Sequence, residues 1–369
     1  MAELLGLHKS RLNTPCLVID KKSFLHNLHY MQELAKSKNV LVRPHAKTHK
    51  CSTIAKLQLA AGSHGVCVAK VSEGLVLAKN GVTGILITSP VVAANKIKML
   101  LDVVHIAKDT MVVIDNLENA WHIDKVFGEN NIKMNVLLDI DGGIGRTGVK
   151  LEDAIQIIQQ LQNFKNLVFK GIQCYAGHLQ HITSLTERRY KSHDLLSKVA
   201  KIKNDLIVQG ISCDIVTGSG TGTFSIDAEI NAITEIQPGS YAVMDQEYSN
   251  IDYKEKRFLP AMTLLTTVIS VNQSTHVTVD AGTKSLYRVA TLPTVVSHPG
   301  LIYDWDKFGD EHGMVTVSSD EYSLPKLGEV LELVVGHCDP TINLFEQFIV
   351  TENDIVIDVW KIDARGCCF

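Results

Sequence analysis

Short β-rich runs alternate with helical patterns between residues 38 and 245, and this alternation limits the fold more than any other feature of the sequence. Eight runs have the length and composition of β-strands. Eight strands alternating with helices over roughly 200 residues predict a (β/α)8 TIM barrel, with a doubly wound open sheet as the alternative. The predicted strands are Val40–Lys47, Gly65–Ala69, Gly84–Thr88, Met111–Asp115, Lys133–Asp139, Val168–Tyr175, Asp214–Thr217 and Thr234–Tyr241.

Apolar residues recur at helical spacing between most of these strands. After the fifth strand, five of them between Leu151 and Leu161 share one face of an amphipathic helix. Further helices are predicted near Lys96–Asp102, Asn116–Phe127 and Ser184–Val208. The segment between the seventh and eighth strands is short, and its helix is doubtful.

The pattern changes after residue 256. Alternating runs appear at 276–280, 328–336 and 354–362, separated by Pro and Gly and without long helical periodicity. They predict a mostly antiparallel β domain. The chain is therefore divided into a barrel at residues 14–255 and a C-terminal domain at residues 256–369.

The composition is that of an ordinary soluble protein. The 369 residues are 45% hydrophobic and carry a net charge of -4, which gives no reason to expect nucleic acid or an anionic membrane as a partner. No apolar run approaches the ~18 residues of a membrane-spanning helix, and the first residues lack a signal-peptide pattern. The eight cysteines form no CxxC pair, so reduced thiols in a cytoplasmic protein are expected.

The segment RPHAKTHK, residues 43–50, ends the first predicted strand. In an extended strand Arg43, His45 and Lys47 would point to one side. A lysine at the carboxyl end of a barrel strand faces the mouth, where barrel enzymes keep their active sites. Nearby cations and partial desolvation should lower the pKa of Lys47 and suit it to a Schiff base with an aldehyde cofactor. A solvated basic turn is the alternative, and Pro44 indicates that strand pairing is ending here.

Two glycine-rich segments follow the last two predicted strands: TGSGTGT at residues 217–223 and QPGSY at residues 237–241. Small and hydroxyl-bearing residues let backbone N–H groups approach an oxyanion, and loops at these positions of a barrel often hold phosphate. Each segment alone is consistent with a plain loop. Together with a lysine at the mouth, they indicate a phosphorylated aldehyde held at both ends.

The segment GHCDPTIN, residues 336–343, follows a long apolar strand of the C-terminal domain. His337 and Asp339 are two residues apart, so an extended backbone would put both on one side and turn Cys338 away. An imidazole and a carboxylate could hold a divalent ion and leave positions open for water and substrate. The alternative is a polar turn in which Asp339 and Pro340 end the strand.

Four further polar groups follow the fifth and sixth predicted strands. Arg146 lies in the loop DIDGGIGRTGV and could contact a cofactor oxygen. Tyr175, His178 and His181 come after the next strand and could stack or exchange protons. A surface arginine and isolated structural residues are the alternatives.

Six segments, in this order, match a known family: RPHAKTHK, DGGIGRTGV, GIQCYAGHLQH, TGSGTGTF, TEIQPGSYAVMD and GHCDPTINL. Together they resemble the D-threonine aldolase and D-serine dehydratase branch of the alanine-racemase-type, fold type III pyridoxal-phosphate enzymes. The resemblance runs from Pro15 to the final WKIDARG. The glycine loops are unspecific individually, whereas the combination and its order are highly specific.

The resemblance implies pyridoxal 5'-phosphate as the cofactor and a divalent metal ion, with manganese favoured and magnesium or zinc as alternatives. Lys47 would be the Schiff-base residue, and His181 a catalytic polar group near the substrate. The metal ligands would be His337 and Asp339. The other cofactor-binding residues would be Arg146 near the phenolic oxygen, Tyr175 at the ring, and Ser219, Gly220, Thr221, Gly239 and Ser240 at the phosphate.

The resemblance also implies an organisation for the whole protein. A barrel is followed by a β domain that carries the metal site, and residues 1–13 join that β domain. The usual unit is a homodimer, in which the β domain of one subunit approaches the barrel mouth of the other.

The segment GHCDPTIN, residues 336–343, is called the metal segment below, and its sequence distinguishes the two branches of the family. Aldolase-like members carry His-x-Asp and D-serine dehydratases carry His-x-Cys, and this chain reads His337-Cys338-Asp339. The expected activity is therefore that of a D-threonine aldolase, which cleaves a D-3-hydroxy amino acid to glycine and an aldehyde. The alternatives are a D-serine or D-threo-3-hydroxyaspartate dehydratase that yields a 2-oxo acid and ammonia, a racemase, and a non-catalytic pyridoxal-phosphate carrier.

Overall fold

A computed structural model describes residues 3–254, 258–306 and 308–369 of the protein. The predicted domain boundary at residues 255 and 256 lies outside these described residues. The strands are β1 (Cys16–Asp20), β2 (Leu41–Val42), β3 (Val66–Val68), β4 (Ile85–Ile87), β5 (Met111–Ile114), β6 (Met134–Asp141), β7 (Leu167–Tyr175), β8 (Ile215–Gly218), β9 (Glu235–Ile236), β10 (Met262–Ser270), β11 (Val277–Val279), β12 (Thr294–Val295), β13 (Leu301–Asp304), β14 (Gly313–Val317), β15 (Val330–Val334), β16 (Gln347–Glu352) and β17 (Ile355–Lys361). The α-helices are α1 (Lys21–Ser37), α2 (Ser52–Ala60), α3 (Val71–Lys79), α4 (Ala94–Ile106), α5 (Leu117–Glu129), α6 (Ala154–Leu161), α7 (Leu185–Val208), α8 (Phe224–Asp227), α9 (Gln246–Ser249) and α10 (Cys338–Ile342).

In the part of the chain that the structure describes, eight parallel strands form one sheet, in the order β2-β9-β8-β7-β6-β5-β4-β3. The two edges of this sheet meet: the Ala46 N–H donates to the Cys67 carbonyl at 2.7 Å, and the Cys67 N–H donates to the Pro44 carbonyl at 2.9 Å. The sheet therefore closes into a barrel. All eight predicted strands are confirmed in position, and the alternative of a doubly wound open sheet is wrong.

The first and last barrel strands are shorter than the sequence predicted. β2 ends at Val42 and β9 ends at Ile236, each two residues before a proline. Pro44 and Pro238 have no backbone N–H to donate, so regular pairing stops before them. The backbone after β2 then turns at the mouth of the barrel, and Lys47 lies in this turn.

The helices around the barrel begin and end where local sequence dictates. Asn116 caps α5, since its Oδ1 accepts hydrogen bonds from the backbone N–H groups of residues 118 and 119. Ser184 caps α7 in the same way through the N–H of residue 187. The predicted apolar face between the fifth and sixth predicted strands is confirmed by α6, which buries Ala154, Ile158 and Leu161.

Among the described residues, nine strands form a second, mostly antiparallel sheet. Seven follow the order β13-β14-β11-β10-β1-β16-β17, β15 pairs with β10, and β12 pairs with β15. The predicted β runs of the C-terminal region are confirmed as β11, β15 and β17. The N-terminal strand β1 also belongs here, because it pairs antiparallel with β10 and parallel with β16. The sequence-based division at residue 14 assigns β1 to the barrel, whereas its hydrogen bonds put it in this second sheet.

Helix α1 packs the two sheets together. Phe24 of α1 is fully buried and meets Trp360 of β17 edge to face, with 5.5 Å between the ring centroids. None of the helices within the described residues combines the length and the apolar character that crossing a membrane requires. All eight cysteines, each among the described residues, are free thiols.

A buried ion pair lies inside the barrel. Arg43 donates to Glu235 through Nε at 2.9 Å and through a terminal nitrogen at 2.7 Å, and both side chains are almost completely buried. Arg43 also donates to the Gly84 carbonyl. A Cβ at Gly65 would collide with this guanidinium, so the glycine leaves room for the arginine.

We expect Glu235→Ala to lower the free energy of unfolding by about 3–5 kcal/mol, because it leaves the Arg43 charge buried without a partner. Denaturant unfolding measures the change. Glu187→Ala is the control, since its pair with Lys191 is about half exposed on α7 and should change stability by less than about 0.5 kcal/mol. Equal effects of the two substitutions would contradict the structural role of the buried pair.

Candidate active site

Lys47 lies at the barrel mouth next to Asp339, which belongs to the segment that follows β15 of the second sheet. Its Nζ is 3.7 Å from Asp339 Oδ2, and α10 carries Asp339. Burial alone would lower the pKa of Lys47, but the Asp339 carboxylate raises it and the net shift is upward. The predicted lowering of this pKa is wrong, because the acidic groups around Lys47, with Asp339 foremost, together outweigh burial and the neighbouring charge of Arg146.

Arg43 and His45 do not share one side with Lys47, as an extended strand would require. Arg43 points into the barrel and pairs with Glu235. His45 is buried, and its Nε2 lies 3.1 Å from Thr88 Oγ1. Burial, followed by the charge of Lys47, holds the pKa of His45 well below its usual range, so the ring stays neutral. The side chains of these residues do not alternate as in a strand, because regular strand geometry stops at the end of β2.

Tyr175 ends β7, and Arg146 lies over its ring. The guanidinium carbon is 5.6 Å from the ring centroid, which is a cation–π distance. Asp141 shapes the loop that carries Arg146, since its Oδ1 accepts hydrogen bonds from the N–H groups of residues 143, 144 and 145, each at 3.0 Å. The loop after β6 and the end of β7 thus bring together two of the residues predicted for the cofactor.

The two glycine-rich loops touch each other at the mouth. The Tyr241 N–H donates to Thr221 Oγ1 at 3.2 Å, which joins the loop after β9 to the loop after β8. Ser240 Oγ donates to Asp339 Oδ1 at 3.1 Å. Both loops, Lys47 and the acidic residue of α10 therefore surround one site.

Two glycines in these loops leave no room for a side chain. A Cβ at Gly220 would lie 2.5 Å from the Gln180 side-chain oxygen, and one at Gly239 would lie 2.3 Å from Thr48 Oγ1. Ser219 adopts a φ of 71°, a left-handed conformation that bends the loop tightly after β8. Backbone groups can therefore approach a ligand closely here.

The donors around these loops fit a phosphorylated aldehyde. The hydroxyl of Thr48 is buried beside Gly239 and makes no hydrogen bond within the described residues, although it lies near enough to help lower the pKa of Asp339. Ser219, Thr221 and Ser240 add three more hydroxyls. With the amine of Lys47 at the other end, these residues suit both ends of pyridoxal 5'-phosphate.

The segment GHCDPTIN does not continue as an extended strand. His337 is still extended, with a φ of -137°, but α10 begins at Cys338 and places Asp339 in its first turn. The predicted extended backbone from His337 to Asp339 is therefore wrong. Pro340 lies in the first helical turn, where proline is tolerated, and the Cys338 N–H donates to Asp245 Oδ2 at 2.9 Å.

Asp245 contacts His337 and was not singled out from the sequence. His337 Nδ1 donates to Asp245 Oδ2 at 2.8 Å, and Asp245 is fully buried. Burial would lower the pKa of His337, but the Asp245 hydrogen bond and the charge of Asp339 raise it to about 9. The local signal of Asp245 is only that of a helix cap, since its Oδ1 accepts from the Tyr248 N–H.

His181 lies beside this group. Its ring centroid is 5.1 Å from that of Tyr248 and 6.2 Å from that of His337. Its Nδ1 is 3.8 Å from Glu247 Oε2, and half of the side chain is exposed. The predicted residue His181 is therefore near the predicted ligands. Tyr248 and Glu247, which the sequence analysis missed, come from α9.

Two sets of metal donors overlap at His337. The imidazole ring of His337 and the carboxylate of Asp339 are the predicted ligands. Ligand atoms of Asp245, His337 and Cys338 also lie within 4.8 Å of one another. Burial opposes ionisation of Asp339, but Lys47 and then His337 lower its pKa to about 2, so this carboxylate is charged. Imidazole and carboxylate donors with an open side suit a divalent ion.

Comparison with known proteins identifies two domain families along the chain. Residues 19–247 match the family described as alanine racemase, N-terminal domain, and residues 261–351 match the putative serine dehydratase domain. The chain is 37% identical to a D-threonine aldolase of an Arthrobacter species, over 97% of this chain and 94% of that protein. It is 33% identical to a 3-hydroxy-D-aspartate aldolase of Paracoccus denitrificans (strain Pd 1222), over 98% and 94%.

The chain belongs to the D-threonine aldolase and D-serine dehydratase family. The crystal structure of a D-threonine aldolase from Filomicrobium marinum superposes with a TM-score of 0.93 and 34% identity, over 99% of this chain and 98% of that one. D-serine dehydratases also match, at identities of 26% and lower. The resemblance inferred from the sequence is confirmed, and with it a fold type III pyridoxal-phosphate lyase.

Asp139 is a buried carboxylic acid that is hydrogen-bonded to the loop that carries Arg146. Asp139 Oδ1 accepts from Gln173 Nε2 at 2.9 Å, and its Oδ2 accepts from the Thr147 hydroxyl at 2.8 Å. Burial raises the pKa of Asp139 to about 6 despite these hydrogen bonds. The folded state therefore favours the protonated carboxyl.

A raised pKa means that Asp139 stabilises the fold below about pH 4 and that this contribution is lost as the pH rises through about 6. We expect the wild type to lose roughly 3 kcal/mol of unfolding free energy relative to Asp139→Asn across this interval. Urea unfolding of both proteins, freed of cofactor, as a function of pH measures the difference. Parallel pH profiles would show that the carboxyl titrates normally.

Proposed function

We propose that this lyase is a pyridoxal-phosphate- and divalent-metal-dependent aldolase that cleaves D-3-hydroxy amino acids, such as D-threonine, between Cα and Cβ. The observation that carries the proposal is the 3.7 Å contact between Lys47 Nζ and Asp339 Oδ2, next to His337. An amine that can hold an aldehyde cofactor and a pair of metal donors thus share one site. The aldolases among the relatives support this reaction.

The cofactor would be held covalently by Lys47. When bound, pyridoxal phosphate withdraws electrons from Cα and so stabilises the charge left when the Cα–Cβ bond breaks. The cation–π contact over Tyr175 supports Arg146 as the residue at the phenolic oxygen. The proposed phosphate contacts are Ser219, Gly220, Thr221, Gly239 and Ser240.

His337 and Asp339 would hold the metal, with manganese favoured over magnesium and zinc. A divalent ion supplies Lewis-acid polarisation of the substrate's 3-hydroxyl group. Asp339 is ionised, and His337 uses Nδ1 for Asp245, so Nε2 is the ring nitrogen left for the ion. Nitrogen and carboxylate oxygen are donors that manganese, magnesium and zinc all accept.

His181 would accept the proton of the 3-hydroxyl group through Nε2. Its Nδ1 faces Glu247, a contact that orients the ring and supports a charge on it after proton transfer. When the Cα–Cβ bond breaks, the hydroxyl carbon becomes the carbonyl of the aldehyde. A proton added to Cα then completes glycine, so that the two products contain all atoms of the substrate.

We propose a cytoplasmic homodimer in which a barrel at residues 14–255 is followed by a β domain at residues 256–369 with residues 1–13. The strand β1 is the exception to this division, because it pairs with β10 and β16 in the sheet of the β domain. Free thiols at all eight cysteines support a reducing compartment. Full-length lyase relatives argue against the non-catalytic carrier.

Incubation of the purified protein with pyridoxal phosphate, Mn²⁺ and D-threonine should yield glycine and acetaldehyde. The reaction should stop when chelator is added and should not occur with L-threonine. Amino-acid analysis and an aldehyde assay measure the products, and a 2-oxobutyrate assay measures the dehydratase reaction. Formation of 2-oxobutyrate and ammonia instead would assign the protein to the dehydratases.

The double substitution His337→Ala with Asp339→Ala should abolish cleavage of D-threonine while the visible absorbance of bound cofactor persists. The reason is that the substitutions remove both metal donors and leave Lys47 in place. Steady-state assays and absorbance spectra check the two parts of the prediction. Full activity of this variant in the presence of chelator would rule out the metal role.

A further inference from the structure

Asp245 is buried and hydrogen-bonded between α9 and the residues around His337. Its Oδ1 accepts the Tyr248 N–H at 2.9 Å, and its Oδ2 accepts the Cys338 N–H at 2.9 Å and His337 Nδ1 at 2.8 Å. The side chain is fully buried. Both carboxylate oxygens therefore have hydrogen-bond partners within the protein.

The backbone that follows Asp245 is also hydrogen-bonded to the residues that precede His337. The N–H of residue 246 donates to the carbonyl of residue 335, and the N–H of residue 247 donates to the carbonyl of residue 336, both at 3.0 Å. The Ser249 hydroxyl donates to the Asp245 carbonyl at 2.6 Å. These bonds fix the start of α9 against the residues that lead into His337.

This arrangement determines which nitrogen of His337 can bind an ion. A carboxylate accepts hydrogen bonds, so Nδ1 must carry the proton that faces Asp245. Nε2 is then the nitrogen that gives up its proton when an ion binds, and the direction of its lone pair is set by the plane of the ring. Metal-binding histidines commonly donate their other N–H to a carboxylate, which fixes the tautomer and makes the ring a better ligand.

A rival arrangement would use Asp245 and Cys338 as ligands together with His337, since their ligand atoms lie within 4.8 Å of one another. Two observations argue against it. Binding an ion on Asp245 would displace hydrogen bonds from a carboxylate whose two oxygens both have partners. The Cys338 side chain is fully buried, so an ion there would lack an open position for substrate. Asp339, in contrast, keeps 18% of its side chain exposed.

We propose that Asp245 is a positioning residue that fixes the ring of His337 so that Nε2, together with Asp339, binds the divalent ion, while Cys338 stays outside the coordination shell. The proposal rests on the metal site of the proposed function. Asp245 acts on the metal only through His337, and it touches neither substrate nor cofactor.

The test is the affinity of the cofactor-loaded protein for Mn²⁺, measured from the electron paramagnetic resonance signal of free Mn²⁺. Asp245→Asn should weaken binding by roughly 10- to 100-fold, because an amide neither fixes the tautomer nor polarises the ring as a carboxylate does. The visible cofactor absorbance and the melting temperature without metal should stay near the wild-type values. Unchanged Mn²⁺ affinity would overturn the proposal.

Glu247→Gln is the matched control. Its carboxylate lies 3.5 Å from the same Nδ1 without being its hydrogen-bond acceptor. This substitution removes a neighbouring negative charge and keeps the Asp245 hydrogen bond, so the loss of Mn²⁺ affinity should be several-fold smaller than in Asp245→Asn. With Co²⁺ in place of Mn²⁺, the visible ligand-field spectrum should shift in Asp245→Asn and not in Glu247→Gln. An overall loosening of the fold would not produce this difference in the spectrum.

Two more variants test the rival ligand set and the proposed metal site, each independently of the positioning role of Asp245. Cys338→Ser should leave Mn²⁺ affinity unchanged, and a large loss together with a thiolate absorption band on Cd²⁺ addition would favour the rival ligand set. Asp339→Asn should greatly reduce Mn²⁺ binding. If Asp339→Asn binds normally, the metal site of the proposed function fails; if only Asp245→Asn binds normally, the positioning role alone fails.

A measurement on the wild-type protein covers the case in which Asp245→Asn does not fold. Nitrogen NMR of protein labelled at histidine should show the His337 ring protonated at Nδ1, with the Nε2 resonance moving when diamagnetic Zn²⁺ is added. Movement of Nδ1 to the shift of a metal-bound nitrogen would overturn the proposal without any substitution.

Discussion

The carboxylate of Asp339 is the contact on which the assembly of the site depends. It accepts a hydrogen bond from Ser240 Oγ in the loop after β9, and it lies 3.7 Å from Lys47 Nζ in the turn after β2. Asp339 itself belongs to α10, in the segment that leaves β15 of the second sheet. One side chain thus joins the barrel mouth to the second sheet. It remains charged despite its burial because Lys47 and His337 lower its pKa.

Patterns that are local in the sequence predicted the barrel and the position of Lys47 at its mouth, although Lys47 lies in a turn and not in the predicted strand. Apolar runs bounded by turn residues encode strands, and for this reason all eight predicted strands are confirmed. Pro44 and Pro238 explain why two of them are short. The glycine-rich loops and Lys47 could be found together because the carboxyl ends of parallel strands meet at one edge of a barrel.

Contacts between distant segments could not be predicted from such patterns. Asp245 and His337 are 92 residues apart, and Asp245 by itself looks like an ordinary helix cap. The start of α10 depends on the same contact, since Asp245 accepts the Cys338 N–H, and spacing alone therefore favoured an extended His337 and Asp339. The predicted lowering of the Lys47 pKa is wrong for a related reason: the carboxylate that raises this pKa belongs to α10, which is distant in the sequence.

The charges around His337 have one physical consequence for protons and for metal ions. Asp245 and Glu247 lie 2.8 and 3.5 Å from Nδ1, and Asp339 adds a third negative charge near the ring. Their field outweighs the cost of burial and raises the pKa of His337 to about 9. A field that favours a proton on the imidazole favours any cation there, because Coulomb attraction does not distinguish between them. What distinguishes them is geometry: the Asp245 hydrogen bond reserves Nδ1 for a proton, so an ion held as proposed would bind Nε2 together with Asp339.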